Sequence, residues 1–93
     1  MSKERFPSVW DAIEETSAQA ENMKLRSALM MALKEHIERE GLSQSQAAKV
    51  LGVTQPRISD LMRGKIDLFG LDTLVNMVVA AGMRVELHVA KAA

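Results

Sequence analysis

The hydrophobic positions of this chain follow two rhythms, a helical one over most of its length and a strand-like one near the C-terminus. Ala18, Leu25, Leu29, Leu33 and Ile37 keep returning to one helical face, with Met23, Met30 and Met31 on its flanks and Glu, Lys and Arg opposite. Thr16-Ser17-Ala18-Gln19 has the form of a capping box, and Gly41 stands where a left-handed C-terminal residue belongs. The pattern predicts a helix from about residue 17 to residue 40, with a break near Glu21-Asn22 as the alternative. Its plain role is core scaffold, although its methionines would also suit an adaptable partner surface. Before it, residues 1–7 lack periodicity and read as a tail. Ser8-Val9-Trp10-Asp11 is another capping box, predicting a short helical turn over about residues 9–14.

Three shorter helices follow. Ser43 can cap one over Gln44–Leu51, with Ala47, Ala48 and Leu51 as its apolar positions. Thr54 can cap the next over Gln55–Arg63, with Pro56 in the first turn, where a missing N–H costs little. Gly64 ends that helix. Leu71, Leu74, Val75, Val78 and Val79 then form a fourth helical pattern closed by Gly82, with Asp72 in its first turn.

The rhythm then changes. Val85, Leu87 and Val89 alternate with Arg84, Glu86 and His88, the period of a strand. A lone strand leaves its backbone ladder unpaired, so it needs a neighbour. The same strand of a second copy supplies one, which predicts a two-fold antiparallel β-ribbon across a homodimer through Val85, Leu87 and Val89. The alternative is a frayed tail.

Composition narrows the classes of function. The 93 residues contain no cysteine, which removes disulfides, thiolate metal sites and cysteine nucleophiles. His36 and His88 are too far apart for a zinc cluster, and Glu35-His36 lacks the second histidine of a zinc-protease motif. No metal, cofactor or catalytic residue is therefore expected, and an enzyme is disfavoured. No membrane span or secretory signal is legible, so a cytoplasmic location is expected. The net charge is zero, but it is unevenly spread. Residues 1–41 carry a net −2, and residues 67–93 carry −1. Residues 42–66 set Lys49, Arg57, Arg63 and Lys65 against Asp60 alone, a net +3. A polyanion responds to the face it meets rather than to the total.

The basic stretch coincides with an ordered set of constraints over residues 43–64, SQSQAAKVLGVTQPRISDLMRG. Ala48 is small where two helices cross, and Gly52 can take positive φ in a tight turn. Val53, Ile58 and Leu61 point to the core, which leaves Gln55, Arg57, Ser59 and Asp60 on the outer face of the second helix. This is the pattern of a helix-turn-helix.

From Gln44 to Leu61 the chain resembles the helix-turn-helix of phage repressors, Cro proteins and the wider XRE family. Over about residues 8–90, including Val53-Thr54-Gln55-Pro56-Arg57-Ile58-Ser59-Asp60-Leu61-Met62-Arg63-Gly64-Lys65, it is similar to HigA-type antitoxins. Gly70 departs from the serine often found before the fourth helix, but glycine is an acceptable N-cap. The resemblance implies an all-α, lambda-repressor-like bundle, to which the C-terminal dimerisation strand is added. It also implies a sequence-specific repressor, autoregulating its operon as an antitoxin with a HigB-type ribonuclease toxin as partner. The expected organisation is a tail with a helical turn over 1–15, the DNA-binding domain over 16–82, the strand over 83–90 and a tail over 91–93.

Groove dimensions assign roles. A recognition helix meets base edges with its N-terminal residues. Gln55 can present its amide to adenine, Arg57 two donors to guanine and Asp60 an acceptor to cytosine; Pro56 can touch a thymine methyl, and Ser59 shares the face. Ion pairing along the exposed helix is the plain alternative for Arg57, Asp60 and Arg63. Gln44, Thr54, Arg63, Lys65 and, with them, Lys49 are candidates for phosphate. A two-fold pair of such modules suits a palindromic operator with half-sites ~34 Å apart. If a toxin binds, Val9, Trp10 and Ile13 are one candidate surface. Two other readings remain, a free-standing phage-type repressor and a protein-interaction adaptor that keeps the motif as scaffold.

Overall fold

A computed structural model describes the backbone of residues 9–92 and the side chains of residues 16–92. Helix α1 spans Val9–Arg39, α2 Gln44–Leu51, α3 Gln55–Met62 and α4 Leu71–Ala80, with a single 3₁₀ turn over Ile66–Leu68. The helical turn and the long helix expected separately are one element of 31 residues. Thr16-Ser17 lies inside it rather than capping it. Between Pro7 and Gly41 no Pro or Gly interrupts a run rich in Glu, Ala, Leu and Met, so propensity carries the helix through.

Among the described side chains of α1, burial begins at Arg26. Residues 16–25 are all exposed, whereas Met30, Leu33 and Ile37 enter the core. Leu33 and Ile37 are buried on the expected line, but ahead of them the stripe shifts by one residue: Leu25 is 46% exposed, Leu29 is partly buried, and Met30 is core rather than flank. The core is completed by Ala47, Ala48 and Leu51 of α2, Ile58 and Leu61 of α3, Phe69, and Leu74, Met77 and Val78 of α4. α1 packs chiefly on α4, and α2 on α3. Burying these side chains is worth about 1.5–3 kcal/mol for each large one, before conformational entropy is set against it.

Among the described residues no strand forms within the single chain: residues 83–92 carry no regular secondary structure. A strand exists only through its ladder, and no other extended segment of the described chain offers one. Val85, Leu87 and Val89 are 41%, 79% and 82% exposed. The Arg84–Glu86 pair at 3.0 Å is exposed at both ends and holds little.

Candidate nucleic-acid interface

The α2–turn–α3 unit is built from local chemistry. Ser43 Oγ accepts from the Gln46 N–H at 3.1 Å, while the Ser43 N–H donates to Gln46 Oε1 at 2.9 Å, a reciprocal capping box at the start of α2. Gly52 closes α2 in the left-handed region at φ 71° and ψ 32°, its N–H donating to the Ala48 carbonyl. Thr54 Oγ1 then accepts from the Arg57 N–H at 3.3 Å to start α3. Pro56 sits in the first turn, as its missing N–H permits. Ala47 and Ala48 are buried, and small side chains there let α2 approach the buried Ile58 and Leu61 of α3.

What this leaves outside is the relevant surface. Gln55 and Pro56 are exposed at the N-terminal end of α3, while Arg57, Ser59 and Asp60 are half-buried further along it. Gln44, Lys49, Thr54, Arg63 and Lys65 are exposed around them. Neither α2 nor α3 has an acidic residue in its first turn. Both helix N-termini therefore present partial positive charge with no carboxylate to cancel it.

Two of the candidate side chains are engaged within the chain. The Arg57 Nη1 donates to the Leu68 carbonyl at 2.9 Å, and its guanidinium lies 5.2 Å from the centroid of the buried Phe69 ring. This residue ties the recognition helix to the loop that follows it. Asp60 Oδ1 lies 3.8 Å from Lys65 Nζ, so a candidate base acceptor and a candidate phosphate donor partly neutralise each other. The ion-pair alternative thus holds for Asp60, with Lys65 as the partner rather than Arg57 or Arg63.

Three contributors escaped the reading of the sequence. Gln46 completes a Ser-x-x-Gln box that was legible. Phe69, 1% exposed, is the platform under Arg57. Arg26 reaches from α1 to donate through Nη1 to the Ile66 carbonyl at 3.1 Å, and its Nε is buried without a partner. Arg26 and Arg57 therefore hold the 3₁₀ turn from two sides. A charge at position 26, in register with the buried 30, 33 and 37, was the available signal for Arg26.

Among the described residues no group of His, Asp or Glu is placed to hold a metal ion, and no helix is long and apolar enough to cross a membrane. Val9, Trp10 and Ile13, the candidate toxin surface, have side chains outside the described residues. A helix-turn-helix domain family matches residues 12–90. A solved structure named as an XRE family transcriptional regulator superposes with a TM-score of 0.73 at 34% sequence identity, over 80% of this chain and 83% of that one. No curated protein matches the chain.

Proposed function

The chain belongs to the helix-turn-helix family of XRE-type transcriptional regulators, and from that premise we propose that it is a homodimeric, sequence-specific repressor acting on cytoplasmic, nucleoid DNA. The observation that carries this reading is the partition of α3: Ile58 and Leu61 are fully buried, while Gln55 and Pro56 stand exposed at the helix's N-terminal end. Gln55 is the primary base reader, through its amide to adenine, and Pro56 and Ser59 shape the contact. Arg57 offers guanine only those donors left free by Leu68 and Phe69, and Asp60 must leave Lys65 to reach cytosine. Gln44, Lys49, Thr54, Arg63 and Lys65 meet phosphate and fix the register.

One module reads too little DNA to be selective, so the dimer is part of the function. Val85, Leu87 and Val89 are the dimerisation residues, pairing with those of a second copy as an antiparallel ribbon. The palindromic operator follows from that two-fold axis, with half-sites ~34 Å apart. The finer reading is an antitoxin that represses its own operon and binds a HigB-type toxin. Besides the resemblance, the sequence of the first half of α1 supports it: residues 11–21 hold four carboxylates and no cation, which suits a basic partner.

The test is Gln55→Ala, measured by fluorescence anisotropy on a duplex selected from a random pool by the unaltered protein. Affinity for that duplex should fall by at least about 30-fold, because the substitution removes a bidentate base contact of about 1–3 kcal/mol in each half-site. Weak binding to unselected DNA should not change. Equal affinity for the selected duplex would remove Gln55 as reader, and failure to enrich any duplex would favour the adaptor.

A further inference from the structure

An open apolar groove of about 310 Å³ runs between α1, α4 and the C-terminal segment. Leu25 and Leu29 of α1, Leu71 and Val75 of α4, and Val85 and Leu87 of the segment line it. Leu25 and Leu87 remain 46% and 79% exposed, so the walls are dressed for contact and left uncovered. We propose that this groove is the seat of a second copy of the chain, filled by the partner's Val89 beside the partner's Leu87. The inference rests on the ribbon reading above and specifies what that ribbon packs on.

The register of the ribbon identifies the occupant. Val85, Glu86 and Leu87 all line the groove, so the segment runs along it, and once extended into a ribbon Val85 and Leu87 share one side with Val89 by period. In a two-fold antiparallel pair, residues equidistant from the axis lie opposite one another on the same face. An axis at Leu87 sets Val85 opposite the partner's Val89 and Leu87 opposite itself, so all three apolar residues of the alternating pattern are paired. On the polar side the same axis sets Glu86 opposite the partner's His88.

Neighbouring registers are worse. An axis at Glu86 opposes two like carboxylates, which is destabilising directly across a ribbon, and an axis at His88 sets Val85 opposite the partner's Lys91. An axis at Val85 carries the ribbon back to Ala81, which is the C-cap of α4 and not extended chain. With the axis at Leu87, the partner's Val89 lies one strand spacing, about 5 Å, from Val85 at the groove's mouth. The ribbon closes over the groove rather than projecting from it.

Because the chain holds no cysteine, single cysteines report contacts without background. Two tagged copies, Leu25→Cys and Val89→Cys, are co-expressed, purified together and treated with a short bismaleimide. A doubly tagged, cross-linked dimer is expected. Glu40→Cys at the other end of α1, paired with Val89→Cys, should give none. Leu87→Cys alone should cross-link to itself and reports the ribbon separately. A Leu87→Cys cross-link without the mixed one overturns the groove as the seat and spares the ribbon, and absence of both overturns the two together. Val75→Lys, which places an ammonium on the groove wall, gives an independent reading by sedimentation equilibrium. Once circular dichroism has verified its helicity, its dimer dissociation constant should rise at least about tenfold. An unchanged constant contradicts the inference.

Discussion

Arg57→Ala separates a tether from a reader, and the structure sets its cost. The substitution removes the hydrogen bond from Nη1 to the Leu68 carbonyl at 2.9 Å and the guanidinium 5.2 Å from the Phe69 ring. A hydrogen bond from a charged donor is worth about 1.5–3 kcal/mol where water is excluded. Arg57 is only half-buried, which screens that figure to about 1 kcal/mol. A cation over an aromatic face adds about 0.5–1 kcal/mol at such a site. The sum, about 1.5–2 kcal/mol, should lower the melting temperature by roughly 6–16 °C in a domain of this size. The assay is a thermal melt followed by circular dichroism, run beside Gln55→Ala. Gln55 is exposed and makes no comparable tie, so its melt should move by no more than about 0.5 kcal/mol. Arg57→Lys keeps the charge and loses the planar fork, so it should fall between the two. A melt of Arg57→Ala equal to that of the unaltered protein would refute the tether.

Two substitutions probe the frame that holds α3 and the helix beyond it. Gly52→Ala meets no atom within 4 Å, so its cost is purely the left-handed backbone at φ 71°: a loss of about 1 kcal/mol, read as a lower urea midpoint with an unchanged slope. Gly70 is the N-cap of α4 with extended φ −80° and ψ 163° and no side-chain cap. Gly70→Ser should therefore raise stability by about 0.5–1 kcal/mol in the same titration, by adding the cap and stiffening the unfolded chain.

What was legible in the sequence was what local chemistry dictates. Ser43, Gly52, Thr54 with Pro56, and Gly64 each act within one helical turn of their own position, and the motif they bracket lies where they mark it. The long helix was legible as a helix, but not in rotation. Leu25, Leu29, Leu33 and Ile37 suggest one stripe; Leu33 and Ile37 do face the body, but Arg26 and Met30 join them in place of Leu25, because methionine fills the core as well as leucine does. Contacts between distant residues were out of reach. Arg57 meets Leu68 and Phe69 across a turn, and Arg26 meets Ile66 across 40 residues. Neither carbonyl has a signature in one dimension. The C-terminal segment alternates like a strand, yet residues 83–92 carry no regular secondary structure, because alternation marks which side chains would share a face and supplies no hydrogen-bonding neighbour.

The most direct test of the account is a hydroxyl-radical footprint of the full-length protein on the duplex it selects from a random pool. Two protected half-sites ~34 Å apart are predicted, related by a two-fold axis in the selected sequence. Affinity should fall steeply as salt rises, as phosphate contacts require. A folded protein that protects a single unsymmetric patch, or none at any salt concentration, would contradict it.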